Sequence, residues 1–474
     1  MHVWQRPRPL TGTLAGLGIL AAALLAYAGT HGSIVIIALL IALAVAAFTL
    51  MDWAAGVPML LIIGSIDGFL KHYSATPFFF ILKDALLALI LLGLAGWLAL
   101  DRERRPDNVR WRGAIAWAVY VGFMFTQVLH PANSIAGGLG AFRAHTMFAV
   151  LFVVGAIYFR ERERLGRTAN LVIALCSLCA IGAVIQHVMG ARWMALSPGF
   201  MKASLHYTSF PSEALRAAGS GGDAIYRTYG TLVDPASLGT ACSYGILFAM
   251  AGLARLRGVW RLAAIASIPL MGLGLATSQA RASMGGLLVG ILVLMVLMFW
   301  RSSTRGFAIG GLLLIIAAVP AGVLLTHGSV ADRVLASDQV AYAQRTRNEA
   351  QTIVLNSVSE NPFGHGLGAT GAGGGLRTDT GLAVDNVFYA NLYETGPLGL
   401  ALFLFVQFTF IGLGFRAALR AKDLPSQTAF IGIVAGNVAL LVSCWFSQGA
   451  FDYAPVGQMF WLFAGAVARQ DAWA

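Results

Sequence analysis

Scanned with a window of about 19 residues, the chain resolves into long apolar runs joined by short polar connections, the pattern of helices that cross a bilayer. The runs fall at 11–29, 33–51, 55–70, 82–100, 113–130, 141–159 and 168–188, then at 236–254, 260–277, 282–300, 306–326, 387–415, 427–447 and 450–468. The third is short and contains Asp67, which makes it a candidate re-entrant segment and leaves twelve to fourteen spans. The expected fold is therefore an all-α polytopic membrane protein. N-terminal spans occupy 1–188, a loop 189–235, further spans 236–326, a large loop 327–386, and C-terminal spans 387–474. The first run follows Arg6 and Arg8 in the manner of a signal peptide, but a second run begins within a few residues, so it is read as a retained helix.

Composition agrees. Of 474 residues, 58% are hydrophobic and 11% charged, against about 25% charged in soluble domains. Cys176, Cys179, Cys242 and Cys444 all sit in apolar runs. The C-x-x-C at 176–179 lacks a second ligand pair, so all four are read as packed thiols. The net charge of +11 is topogenic: with a cytoplasmic N-terminus, 20 of the 32 Lys and Arg fall in the termini and short loops of one side. That distribution calls for no nucleic-acid partner and predicts both termini in the cytoplasm.

Two long loops then lie outside the cytoplasm. In the second, "AYAQRTRNEAQTIVLNSVSENP" sets Arg347, Gln351, Val354 and Val358 at helical spacing and stops at Asn361-Pro362, predicting a short amphipathic helix. The following "NPFGHGLGATGAGGG" spells G-x-G-x-x-G. It follows a helix rather than a strand and has no acidic ribose partner, so the dinucleotide reading fails. Its glycines offer backbone that can approach a ligand or helix closely.

The candidate chemistry is cationic and non-cytoplasmic. Arg143, Arg227, Arg281, Arg345 and Arg347 converge by topology on one face, where the positive-inside tendency disfavours them. Each alone reads as a snorkelling residue; together they suit a polyvalent anion, which arginine holds bidentately. At that face the matching anion is a lipid pyrophosphate. Asp385, with Asn386, precedes the twelfth run and is either an N-cap or a general base for an incoming hydroxyl. His365 is a rival base, and Asn386 and His365 are also candidate substrate-binding residues. Glu394 and Asp452 are expected to cap or pair, and no metal-ligand spacing is visible.

These pieces resemble the O-antigen ligase and O-antigen polymerase (Wzy/WaaL-type) superfamily of bacterial membrane glycosyltransferases over roughly residues 220–415. The motifs are Arg227 with Gly230 and Asp234-Pro235, then "TSQARAS", then Arg347 ahead of "NPFGHGLG", then Asp385-Asn386 ahead of "ETGPLG". The resemblance implies a metal-independent, inverting enzyme of the GT-C kind in the inner membrane, with no cofactor and a periplasmic active site. The donor would be an undecaprenyl-pyrophosphate-linked glycan, and the acceptor a second glycan or lipid A core. A chain-length regulator is a further implied partner. Carried over, Arg227 and Arg281 would hold the pyrophosphate, Arg143 and Arg347 would support it, and Asp385 would activate the acceptor. The ligases usually carry His-Asn where this chain has Asp385-Asn386, which favours a polymerase of O-antigen, capsule or exopolysaccharide repeats. A ligase acting on lipid A core or a protein acceptor, or a transporter of the lipid-linked glycan, is the alternative.

Overall fold

The computed structural model describes residues 45–74, 77–100, 111–190, 227–300, 337–370, 386–445 and 449–472, with single positions 306, 309, 382 and 384. Asp385 and the expected spans at 11–29 and 306–326 lie outside the described residues apart from two of those single positions, as does most of 33–51.

The described elements are helices. In order they are α1 (Trp53–Ser74), α2 (Pro77–Leu100), α3 (Ala114–Thr126), α4 (Ile135–Thr146), α5 (Leu151–Tyr158), α6 (Arg162–Met189) and α7 (Pro235–Gly252). They continue with α8 (Gly258–Ser278), α9 (Arg281–Phe299), α10 (Ser337–Glu360), α11 (Val387–Arg420), α12 (Leu424–Cys444), α13 (Gly449–Asp452) and α14 (Val456–Ala468). Eight helical stretches among the described residues are long and apolar enough to cross a membrane, α4 and α5 counting as one. The chain is an all-α polytopic membrane protein.

The third run, a candidate re-entrant segment, is a helix of 22 residues long and apolar enough to cross a membrane. Its awkward charge is neutralised one turn later, where Lys71 Nζ donates to Asp67 Oδ2 at 2.6 Å. An i,i+4 pair lets an acid sit in an apolar helix without an orphaned charge.

Two compact units divide the chain: residues 1–60 with 82–105, and residues 61–81 with 106–474. In the first, Trp53 and Trp97 meet at 6.0 Å between ring centroids. The second unit is centred on α7, of which every residue but Ala236 is buried. Around it stand α6, α8, α9 and α12, while α14 packs on α5 and α11 on α12 and α3. Apolar attraction cannot drive helices together in lipid, so close packing must, and small residues permit it. Gly286 and Gly290 bring α9 against the carbonyls of Ala439 and Ala435 on α12, and Gly245 brings α7 against Cys176 and Met271. The four cysteines are free and buried. Tyr244 Oη reaches across the core and donates to Asn437 Oδ1 at 2.6 Å.

Candidate functional site

The chain enters α7 through residues 227–234, and neighbours fix that segment's backbone completely enough to aim Arg227. Gln186, near the end of α6, accepts from the N–H of Tyr229 (2.9 Å) and of Gly230 (2.8 Å) and donates to the Gly230 carbonyl (3.2 Å). Thr231 Oγ1 donates to the Ser65 carbonyl of α1 at 2.6 Å. Asp234 then caps α7, its Oδ1 accepting from Ala236 N (2.8 Å) and Ser237 N (2.9 Å), with Pro235 in the first helical position. The Asp-Pro of the motif is thus a helix start, an aspartate cap followed by a proline whose missing N–H is no loss there.

"TSQARAS" forms the turn from α8 to α9. Thr228 Oγ1 donates to Thr277 Oγ1 at 2.9 Å and Arg227 Nε to the Ser278 carbonyl at 3.1 Å, which fastens the first motif to the second. Ser278 Oγ donates to Leu275 O (2.7 Å), and Ser283 Oγ lies 3.0 Å from Thr240 Oγ1. The hydroxyls are therefore occupied by the helices they join. Two residues are not. Gln279 is the one non-glycine with a positive φ (54°) among the described residues. Its side-chain oxygen is buried with no hydrogen-bond partner among them. Left-handed backbone costs about 1–2 kcal/mol for such a residue, and strain of this kind gathers at functional sites. Arg281 is half-buried at the first position of α9, where no side chain caps the helix. The positive end of a helix dipole disfavours a cation. Arg347 on α10 is close enough to interact with Arg281 as a like charge. Among the described residues Arg281 has no carboxylate partner.

The predicted helix appears as α10 and ends at Glu360, one residue before Asn361-Pro362. The glycine turn that follows lies on the start of α11 with its motif partner "ETG". His365 N donates to the Tyr393 carbonyl and Gly366 N to the Glu394 carbonyl, both at 2.9 Å. Gly364 (φ 82°) faces the Glu394 carbonyl, and Gly396 (φ 69°), where α11 kinks before Pro397, faces the Pro362 carbonyl. A Cβ at either would strike backbone, so the two glycine motifs exist to interlock. The close approach offered by the turn is taken by a helix. Val354 of α10, Ala369 of the turn and Ala390 and Tyr393 of α11 form one buried cluster.

Beneath the turn lies a buried ionic group. His145 Nδ1 is 3.2 Å from Asp452 Oδ2 and Nε2 is 3.1 Å from Glu394 Oε2, the latter approach being off the line of a hydrogen bond. The other Glu394 oxygen accepts from Thr370 N (3.0 Å) and Oγ1 (2.5 Å).

Of the predicted residues, Arg281 and Arg347 lie within electrostatic reach of each other, and Arg227 is bonded to the carbonyl of Ser278, three residues before Arg281. Arg345 is exposed, two positions from Arg347 and so on another face of α10; Arg143 is exposed on α4, two residues before His145. Asn386, expected to bind substrate, is the cap of α11. Its Oδ1 accepts from Phe388 N (2.8 Å) and Tyr389 N (3.2 Å) and its Nδ2 donates to Trp445 O (2.7 Å). The cap weighed for Asp385 therefore belongs to Asn386. His365 stacks on Tyr393 at 4.1 Å and sets its nitrogens 3.2 Å from Tyr393 O and 3.3 Å from Asn361 Nδ2, contacts that fasten the turn. Glu394 and Asp452 do pair, with His145, a partner that metal-ligand spacing does not reveal. The signal was available: His145 and Gln186 are polar residues inside apolar helices, where each needs a partner. No group of three or more His, Cys, Asp or Glu placed to hold a metal occurs among the described residues. No known family model matches the chain, and no curated protein sequence matches it.

Proposed function

We propose that this protein is a polymerase of oligosaccharide repeat units linked to undecaprenyl pyrophosphate, a glycosyltransferase that needs no metal and acts at the outer face of the inner membrane. The observation that carries the reading is the arginine group. Arg281 stands without a carboxylate partner among the described residues, at a helix N-terminus that no side chain caps, within electrostatic reach of Arg347 and beside the carbonyl that anchors Arg227. Three features adverse to a cation at one place are compensated by a polyvalent anion. The N–H groups of a first helical turn lack intrahelical partners and would add donors to the guanidinium forks.

The chemistry follows. An acceptor hydroxyl oxygen attacks the anomeric carbon, and the bond from that carbon to the pyrophosphate oxygen breaks. The electron pair leaves on undecaprenyl pyrophosphate, and the hydroxyl proton passes to a base, for which Asp385 is the candidate. Preorganised arginines stabilise the charge that develops on the leaving group; deleting one such donor typically costs about 2.7–4 kcal/mol of barrier. Holding acceptor and donor in line contributes several kcal/mol more.

A transporter of the same lipid is the second reading, favoured by the ionisable group His145–Glu394–Asp452 inside the helices. The experiment supplies the protein in nanodiscs with a lipid-linked repeat unit, with EDTA present, and follows products on gels. A ladder of longer lipid-linked glycans, lost in Arg281→Ala and Asp385→Ala, supports the polymerase. Transfer only after lipid A core is added makes it a ligase. Movement of the lipid across the bilayer with no transfer leaves the transporter.

A further inference from the structure

We propose that His145 is a positioning residue: with Glu394 and Asp452 it forms a buried ionic latch that holds the glycine turn on α11 and, through the turn, seats Arg347 beside Arg281. The three side chains come from α4, α11 and α13 and are 10%, 3% and 18% exposed. Glu394 grips the turn twice, by its side chain on Thr370 N and Oγ1 and by its backbone carbonyl on Gly366 N. The turn continues α10 without a break, Asn361 N donating to Ser357 O at 2.8 Å and Gly364 N to Asn361 O at 2.9 Å. Val354 clamps α10 to Ala369 of the turn and to Tyr393 of α11. Arg347 lies seven residues before Val354, two helical turns along the same face. A contiguous line of contacts thus runs from His145 to the arginine group.

The latch depends on charge. Both carboxylates lie within 3.2 Å of one ring, and only the imidazolium offers a positive charge to both. Removing the cation leaves Glu394 and Asp452 without their shared partner, and the loss of one member of such a buried group is strongly destabilising. Glu394 must then turn away or take up water, and the turn loses its anchor. The role in function rests on the anion-site reading above; the latch itself rests on geometry.

The test uses the full chain in nanodiscs as wild type, His145→Gln, and the charge-balanced triple variant His145→Gln, Glu394→Gln, Asp452→Asn. Amide exchange is followed over residues 361–370 and, for comparison, over α7. Equilibrium binding of inorganic pyrophosphate is measured alongside. In His145→Gln, exchange of the turn is expected to rise roughly tenfold or more with α7 unchanged, and pyrophosphate affinity to fall about tenfold. In the triple variant, where the amide oxygen introduced by Glu394→Gln can still accept from Thr370, both return to within about threefold of wild type. An unchanged turn in His145→Gln, or a loosened turn with pyrophosphate binding intact, overturns the proposal. If His145→Gln unfolds altogether, the triple variant decides: a folded protein with a protected turn supports the latch, and one with a loosened turn overturns it. Wild-type protein that binds no pyrophosphate sinks the anion-site reading, and with it the role assigned to Arg347, while the exchange measurements still establish whether the latch exists.

Discussion

Replacing Gly364 by alanine tests the interlock of the two glycine motifs, because the neighbouring Gly368 supplies a matched control. Both have positive φ, 82° and 80°, so both carry the same backbone penalty for a Cβ, about 1–2 kcal/mol. Their surroundings differ. At 364 the added carbon would lie 2.5 Å from the Glu394 carbonyl carbon and 2.6 Å from Thr395 N, whereas at 368 its nearest neighbour is the Ala141 methyl at 3.1 Å. A methyl can yield a few tenths of an ångström, but the backbone of α11 cannot. Relief at 364 requires the turn to lift, which surrenders the bonds from His365 N and Gly366 N to the Tyr393 and Glu394 carbonyls. At about 0.5–1.5 kcal/mol net for each bond, the total for Gly364→Ala is about 2–5 kcal/mol, and for Gly368→Ala only about 1–2. The difference of about 1–3 kcal/mol corresponds to a ratio of about 5 to 150 in the opening equilibrium of the turn. Amide exchange of residues 361–370 measures that ratio directly. Thermal melts read by a thiol-reactive dye report global stability, since all four cysteines are buried. Equal exchange in the two variants, or faster exchange in Gly368→Ala, would refute the reasoning.

Other outcomes follow from the same contacts. Arg281→Ala is expected to lower the rate of glycan transfer by about 10²–10³ while leaving the melting temperature within a few degrees, and exposed Arg345→Ala to lower it by less than about twofold; initial rates with a lipid-linked donor check both. Gln186→Leu strands the N–H groups of Tyr229 and Gly230, at about 1–3 kcal/mol for each buried donor, and should loosen the Arg227 segment in amide exchange before the core melts. Asn386→Ala removes a cap worth about 0.5–2 kcal/mol and its bond to Trp445 O, so it should lower the melting temperature more than Asp385→Asn, which should instead lower turnover.

The sequence made the helices legible because a bilayer imposes a simple rule. Backbone polar groups must be satisfied within each segment, so a long apolar run is a helix whatever it packs against. The end of α10 was legible for a local reason, since the residue before a proline avoids helical backbone, and α10 ends at Glu360 ahead of Asn361-Pro362. Asp67 leaves the third run open between a span and a re-entrant segment, because a charge in a short run resembles a break until its i,i+4 partner is noticed. His145, Glu394 and Asp452 were not legible as a group: two loops and several helices separate them, and no periodicity relates positions on different helices. Nor could the motif spelling separate residues that shape the site from residues that bind. Asp234, Asn386 and His365 each engage the local fold, and Gly364 and Gly396 interlock the turn with α11.

That occupation sharpens the case for the residues left over. Caps, hydroxyl bonds and glycine contacts each agree with the local structure around them, the consistency that lets a sequence specify one fold. Arg281 and Gln279 break it. One puts a cation at the positive end of a helix near a second cation; the other holds a non-glycine residue in left-handed backbone with its amide oxygen buried and unpartnered among the described residues. These departures sit two residues apart, in a turn whose every hydroxyl is engaged and whose neighbour Ser278 anchors Arg227. On the function proposed above, the energy spent at this one place in an otherwise consistent structure would be recovered on binding an anion with several oxygens and an adjoining hydrogen-bond donor, the chemistry of a pyrophosphate joined to a sugar.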